Sequence, residues 1–416
     1  MKKVVLLAVF ALATAVTYAG GYRVSLQGQK ALAMGHTGVA VVNSAESVFF
    51  NPAGLVYLEN KLSISAGVSG VFSTVAYQNE ALGTYAETDN PVSTPLYFYA
   101  SYQATDWLAL GLGVYTPYGS TVEYEDDWAG SHLVNNIDLQ AIFIQPSVSL
   151  KVNDKFSVGG GPIYVTGSVN FNRNLTRSLT DLEGNRSEVT IDASGVTNWG
   201  WTAGFMFNPT DNLRIGANYR SEIILEAEEG DADFQNVPNS PLTPFVDTQF
   251  DASLPMPAEL TVGLSYEFCE KWTFAFDYNR AFWDVYESLS IDFANPQVPD
   301  SENLRNYKNS SSYRFGLQYD VTEMFTLRAG YYFDETPVRD GYFAPETPRN
   351  DSSGYTAGLT VNVGKHFQID ASFLYLHFKE VDASYDYHFD QGVRAPFSGT
   401  YKSSAFVPGL GVSYKL

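Results

Sequence analysis

AELTVGLSYEFCEKWTFAFDYN, residues 258–279, decides how this chain folds. One parity carries Leu260, Val262, Leu264, Tyr266 and Phe268, and the other carries Thr261, Gly263, Ser265 and Glu267. After a polar turn at 269–271 the alternation resumes, with Trp272, Phe274, Phe276 and Tyr278 against Thr273, Ala275, Asp277 and Asn279. A period of two belongs to a β-strand, whose successive side chains point to opposite faces. Two such runs across a short turn make a hairpin with one greasy and one wet side. The pattern recurs in Tyr313, Phe315, Leu317 and Tyr319 against Arg314, Gly316, Gln318 and Asp320, and again in Phe325, Leu327, Ala329 and Tyr331 against Thr326, Arg328 and Gly330. In a sandwich the apolar parity would face a second sheet; in a membrane barrel it faces lipid, and the small and charged parity lines the interior.

Connection lengths decide between these two. Tight polar turns fall at 105–106, 153–154, 209–212, 269–271, 321–323 and 364–365. The alternate connections are long and rich in Asp, Asn, Pro and Gly: 78–91, 117–136, 170–187, 228–250, 293–306, 334–352 and 380–402. Short turns on one side and long loops on the other predict an all-β chain forming a 14-stranded antiparallel transmembrane β-barrel, with both termini on the short-turn, periplasmic side. Closure is required because lipid does not tolerate an open sheet edge. The strands are expected at 60–77, 92–104, 107–116, 137–151, 155–169, 188–208 and 213–227. The other seven are expected at 251–268, 271–292, 307–320, 323–333, 353–363, 366–379 and 403–416. Trp107, Trp199, Trp272, Trp283, Tyr99, Tyr332 and Tyr414 lie near strand ends, where they either form interfacial girdles or pack within hairpins.

Composition agrees with this architecture. Aromatic residues make up 15% of the 416 residues, spread from end to end, and only 17% are charged. No apolar run after residue 19 approaches the ~18 residues a spanning helix needs. The lone Cys269 excludes an internal disulfide, and the formal net charge of -21 argues against a nucleic-acid partner. Residues 1–19 read as a secretory signal, with Lys2 and Lys3 before an apolar stretch and small residues at Thr17 and Ala19. The segment 20–59 breaks the alternation. It contains a helix-permissive stretch at 44–50, which Ser44 is placed to cap and Asn51-Pro52 to stop. About forty residues are too few for a core of their own. The expectation is a hatch folded into the lumen of a barrel spanning 60–416; the alternative is a periplasmic tail.

The run 21–55, ending in Phe49-Phe50-Asn51-Pro52-Ala53-Gly54, resembles the N-terminal hatch of the outer-membrane long-chain fatty acid and hydrocarbon transporters, the FadL/TodX family. Pro255-Met256-Pro257 with the hairpin at 263–292, and the stretch 330–354, are similar as well, so the resemblance spans the whole chain after residue 19. It implies a Gram-negative outer-membrane transporter that takes up hydrophobic molecules by passive diffusion, with no catalytic residues, metal or cofactor. Long-chain fatty acids lead, with monoaromatic or aliphatic hydrocarbons as the alternative cargo. By the same resemblance the hatch residues are Gly21, Phe49, Phe50, Asn51, Pro52 and Ala53. Asn51 is placed to tie the hatch backbone to the wall. A lateral gate beside a kinked third strand falls on Gly111, Gly113 and Pro117. Ligand-capture loops contribute Phe171, Arg173, Arg177, Phe234, Leu242 and Phe245. Here the sequence departs from the family, whose capture groove is hydrophobic, because 170–187 is polar and 228–250 is acidic. An arginine there suits a carboxylate or a lipopolysaccharide phosphate, or is simply solvated.

The partners expected are a hydrophobic small molecule and the lipid and lipopolysaccharide of the outer membrane, with the barrel a monomer. Two rival readings remain. An enzyme would need a motif such as G-x-S-x-G or H-E-x-x-H, and the chain contains neither. A general porin or structural barrel would conduct ions through an open lumen.

Overall fold

The computed structural model describes residues 21–125, 127–240, 243–390 and 392–416, so the expected signal segment lies outside the described residues. Fourteen antiparallel strands close into one barrel. They are β1 (Leu62–Ser69, continued by Phe72–Asn79), β2 (Leu96–Thr105), β3 (Leu108–Glu123), β4 (Asn136–Asn153) and β5 (Phe156–Asn174). Next come β6 (Glu188–Thr210), β7 (Leu213–Arg220, then Ile223–Gln235), β8 (Thr248–Met256, then Glu259–Phe268) and β9 (Trp272–Ala281, then Ser288–Phe293). The circuit finishes with β10 (Ser310–Asp320), β11 (Phe325–Asp334), β12 (Ser352–Val363), β13 (Phe367–Phe378, then Val381–Tyr385) and β14 (Phe397–Lys415). Each strand pairs with its sequence neighbours, and β1 closes on β14 from Ser63↔Lys415 to Ser69↔Gly409. The join continues from Phe72↔Phe406 upward.

The alternation places side chains as expected. On β10 and β11, Tyr313, Phe315, Leu317, Phe325 and Leu327 are exposed on the outside, while Arg314, Thr326 and Arg328 are buried in the lumen. The long-loop ends differ from expectation. β3 runs to Glu123 rather than 116, and β5 to Asn174 rather than 169. Above the bilayer the outward parity turns polar, as in Thr121 and Glu123, so the greasy signal stops while the ladder continues. Three aromatic residues also depart from the girdle. Trp283, Tyr99 and Tyr332 are buried inside the barrel, whereas Trp107 and Trp199 are exposed on its outer face. Tyr99 and Tyr332 occupy the inward parity of their strands. Trp283 sits on a 3-10 turn, Trp283–Val285, that interrupts β9 and turns the indole inward.

Residues 21–58 fill the lumen. They form a short helix α1 (Gln29–Ala33), a turn of helix α2 (Ser47–Phe50) and a 3-10 helix Pro52–Tyr57. All three elements are built almost wholly of buried residues. Small residues on the inward parity make the space. A Cβ at Gly111 would lie 2.7 Å from Leu55 Cδ1, and one at Gly159 would lie 2.5 Å from the Ala53 nitrogen.

The wall is irregular in two places. β2 pairs with β3 only up to Tyr97↔Tyr115, while β3 bulges against β4 between Tyr115 and Tyr118. Above that point one edge of β3 pairs with no named strand among the described residues until Asp89 N–H meets Glu123 C=O at 2.9 Å near its end. The luminal segment takes the place: Val24 N–H donates to Pro117 C=O at 2.8 Å, and Gly119 N–H donates to Tyr22 C=O at 3.1 Å. Pro117, having no N–H, sits where a proline is tolerated. The second irregularity separates β6 and β7, which pair below Thr202↔Arg220 and again above Asp192↔Asp231.

Candidate functional site

The N-terminal residues are held by a buried ionic cluster. Arg23 donates through Nη1 to Glu259 Oε2 at 3.0 Å and to Asn279 Oδ1 at 2.5 Å. Its Nη2 reaches Ser312 Oγ at 2.8 Å and Asp334 Oδ1 at 3.0 Å. Tyr118 donates to the other Glu259 oxygen at 3.1 Å, and Arg220 stands 4.0 Å from it. The Tyr22 hydroxyl donates to Pro255 C=O, and its ring packs edge-on against Trp283 at 4.9 Å. Gly21 has a φ of +53°, and any Cβ there would overlap the Trp283 indole, so only glycine fits. Sequence reasoning found Gly21 but missed Tyr22, Arg23, Glu259 and Asp277. The available signal was the carboxylates and amides on the inward parity of β8 and β9, with one arginine opposite in an otherwise weakly charged segment.

The Phe49-Phe50-Asn51-Pro52-Ala53 box is the second anchor. Asn51 Nδ2 donates to Val39 C=O at 2.9 Å and to Phe205 C=O on β6 at 3.0 Å, joining the segment to the wall. Its Oδ1 accepts from Ala53 N–H at 3.1 Å and starts the 3-10 helix at Pro52. Ala53 C=O accepts from Ser149 and Ser157 on neighbouring strands. Phe49 and Phe50 pack edge-on at 4.8 Å, and the Arg220 guanidinium lies 4.3 Å over the Phe49 ring. Asp277 completes the seat by accepting from Gly38 and Val39 N–H at 2.7 and 3.1 Å.

A third contact is sensitive to pH. Glu46 accepts from the N–H groups of Lys30 and Ala31 at the start of α1, near Lys30, which lies 3.7 Å from Asp370. Burial pushes the Glu46 carboxyl from its ordinary value of 4.5 up to about 7, against the pull of Lys30 and the two amides. A carboxyl that binds its proton more tightly when seated stabilises the seat fully below its exposed pKa. That contribution is lost as pH rises from about 4.5 through about 7. Hydrogen exchange of residues 29–50 is therefore expected to be better protected at pH 5 than at pH 8, after correction for intrinsic rates. Glu46→Gln should flatten the difference, and equal protection at both pH values in the unsubstituted chain would refute the assignment.

Two cavities adjoin these anchors. One, of about 400 Å³, opens beside the unpaired edge of β3 and is lined by Thr116, Tyr118, Gly119, Val71, Val92, Leu374 and Arg349 among others. The other, of about 100 Å³, is lined by apolar side chains including Tyr22, Phe171, Ile191, Leu225, Phe250 and Ile291. Of the expected gate residues, Pro117 lies at the irregularity. Gly111 and Gly113 lie below it in regular ladder, opposite Ser101 and Tyr99, and make room for Leu55 and Val48. Of the expected capture residues, Phe171 and Phe234 border one apolar cluster with Phe250 and Phe293, and Phe234 stacks on Phe245 at 5.6 Å. Arg173 adjoins the apolar cavity through Phe171. Arg177 instead ties two loops, meeting His132 Nε2 at 3.3 Å and Ala395 C=O at 2.8 Å. Leu242 lies outside the described residues.

The family model for outer membrane protein transport proteins (OMPP1/FadL/TodX) matches residues 10–416. The chain belongs to the OMPP1/FadL/TodX family. It is 26% identical to a putative outer membrane protein of Neisseria meningitidis, over 100% of this chain and 98% of that one. It is 23% identical to the long-chain fatty acid transport protein of Escherichia coli O6:H1, over 95% and 96%. Among solved structures, a Pseudomonas aeruginosa FadL homologue superposes with a TM-score of 0.80 at 19% identity, covering 95% of this chain and 99% of that one. The Pseudomonas putida toluene transporter TodX superposes at 0.72 and 20%, covering 96% and 99%. This member of the FadL/TodX family is thus an outer-membrane β-barrel with a transport role and not an enzyme.

Proposed function

We propose that this FadL/TodX-family barrel takes up amphiphiles with a long apolar chain and an anionic head, long-chain fatty acids before neutral hydrocarbons, by passive diffusion. The observation that carries this reading is the end wall of the apolar cavity. It shares Phe171, Leu289, Ile291 and Glu346 with a smaller space lined by Arg173 and Arg305. Arg305 is neutralised by Glu346. Arg173 hydrogen-bonds only to neutral groups, His132 C=O at 3.2 Å and Ser301 Oγ at 3.3 Å; it has no carboxylate within ion-pair distance among the described residues, and Glu346, already held by Arg305, acts on it only from further away. A half-buried cation beside an apolar chamber is best answered by a ligand carboxylate, which toluene does not have.

In this reading the Phe171–Phe234 surface collects cargo from lipopolysaccharide, and the apolar cavity holds it. Residues 20–59, with Gly21, Phe49, Phe50, Asn51, Pro52 and Ala53, act as the hatch. The break at Pro117 is the lateral exit. A molecule that dissolves in a bilayer need not cross an aqueous pore, so a side exit into the outer leaflet is sufficient. The barrel acts as a monomer because it closes its own sheet.

Uptake of labelled palmitate and labelled toluene, by cells in which this barrel is the sole candidate route, tests the reading. Arg173→Gln is expected to lower palmitate uptake roughly 10–100-fold, the equivalent of ~1.5–3 kcal/mol for a charged hydrogen bond, and to leave toluene little changed. Toluene uptake without palmitate uptake would favour the hydrocarbon alternative, and stable ion conductance with neither would favour a porin.

A further inference from the structure

Three arginines converge on a space too small for any cargo. A cavity of about 30 Å³ lies between the luminal segment and the wall, where Arg23 and His36 of the segment meet Arg220 of β7, Glu259 of β8 and Arg314 of β10. That volume is far below the ~300 Å³ at which small-molecule pockets begin, and above the ~10–15 Å³ that one water needs. The charges facing it do not cancel. Three guanidinium groups meet one carboxylate, Glu259, whose oxygens are already taken by Arg23, Tyr118 and Asn279. The two other carboxylates nearby are engaged elsewhere: Asp334 accepts from Arg23 and Ser312, and Asp277, opposite Arg314 in register, accepts from Gly38 and Val39 N–H. Arg314 is buried, reaches His36 C=O at 3.4 Å, and has no carboxylate within ion-pair distance among the described residues. The neutral lining adds donors. Asn218 has its Oδ1 taken by Thr202, which leaves the Nδ2 amide, and Thr261 accepts from Asn279, which leaves its O–H. His36 adds no charge, because burial and the fields of Arg314, Arg23 and Arg220 hold its pKa well below 6.5. A buried cation without a counter-charge is costly, and one small anion among the three would answer it.

We propose that this cavity holds a single small monovalent anion of the chloride class, and that the anion pins the luminal segment to the wall. Arg23 belongs to the segment, whereas Arg220 and Arg314 belong to β7 and β10, so an anion between them bridges the two bodies. With water alone in the cavity, the same guanidinium groups repel one another across the gap. Unseating the segment opens the site to solvent and releases the anion. Seating and anion binding are therefore linked, and the seated population rises with the concentration of the anion relative to its Kd. The proposal goes beyond the uptake reading and does not depend on it, since the cavity has no room for an alkyl chain.

The test refolds the protein from urea in sodium bromide or in sodium gluconate, at one pH and equal ionic strength, with the closed barrel verified by heat-modifiable gel migration. Crystals grown in bromide should show an anomalous peak between Arg220 and Arg314. Hydrogen exchange of residues 23–50 should be slower in bromide by about ten-fold, the shift expected when the anion stands about ten times above its Kd. Arg314→Gln should abolish the peak and shrink the bromide effect to less than about two-fold. Asn218→Asp separates the anion from a purely structural role of Arg314, because it puts a fixed carboxylate beside Arg220. That variant should be as well protected in gluconate as the parent is in bromide, and indifferent to the halide. A folded parent barrel with no bromide peak, the result for a cavity that holds only water, would overturn the site. Equal protection of the parent in the two salts would overturn the pinning role even if bromide is bound.

Discussion

Replacing Glu259 with leucine is expected to release the N-terminal segment while leaving the barrel closed. The carboxylate is shared by Arg23 at 3.0 Å and Arg220 at 4.0 Å, both buried. Removing the shared carboxylate leaves Arg220 without an ion pair among the described residues and Arg23 with Asp334 alone, at a cost of up to about 3–5 kcal/mol. That cost falls on the seated state, because a displaced Arg23 regains water. The closing ladder between β1 and β14 lies elsewhere on the wall and does not involve Glu259. Limited proteolysis should therefore cut within residues 21–58 of the variant and spare the strands, with heat-modifiable migration retained. Glu259→Gln, which keeps the Tyr118 and Asn279 contacts but not the charge, should fall between. Full resistance of the segment in the leucine variant would show that the ionic cluster is not what seats it.

The second large effect concerns the pore. Deleting residues 21–54 removes the anchors at Arg23, Gly38, Glu46 and Asn51 together, yet the main-chain pairing of the fourteen strands is retained. The ladder position at Pro117 and Gly119 is the exception, because it loses Val24 and Tyr22. The emptied lumen would be lined by groups that hydrate well, including Ser147, Gln145, Asp277 and Arg314. In planar bilayers the full chain is expected to pass little current and the deletion to give continuous conductance of the porin type. Hydrophobic uptake should change in parallel. A folded deletion barrel that conducts no more than the parent, and carries cargo at the parental rate, would rule out a hatch role for this segment.

Much of the fold was legible because lipid outside and water or polar side chains inside impose a strict parity. Residues 258–279 display that parity without exception, and their register in β8 and β9 follows it. Legibility ended where the outside ceased to be lipid, so the upper parts of β3 and β5 were read as loops. It also failed where an aromatic residue faced inward, since parity alone does not distinguish Tyr99 packing on the luminal segment from Tyr99 at a membrane interface. In the site, Asn51 and Pro52 were readable because their chemistry is local: a cap and a turn. Arg23 with Glu259 was not, because the pairing joins positions far apart in a single sequence. The resemblance puts Gly111 and Gly113 at a lateral gate, whereas the structure uses their missing side chains as space for Leu55 and Val48.

The separation of those contacts sets an order of events during folding. Residues 21–58 are synthesised and exported before any strand, yet Arg23 finds partners 236 and 311 positions later, and Lys30 meets Ser413, 383 positions on. Contacts of such span form late, because the intervening chain must first be organised. The segment therefore stays hydrated through most of assembly and docks only when β14 arrives to meet β1. The step that closes the sheet is then also the step that makes the lumen tight, so a nascent barrel is leaky until its last hairpin is in place.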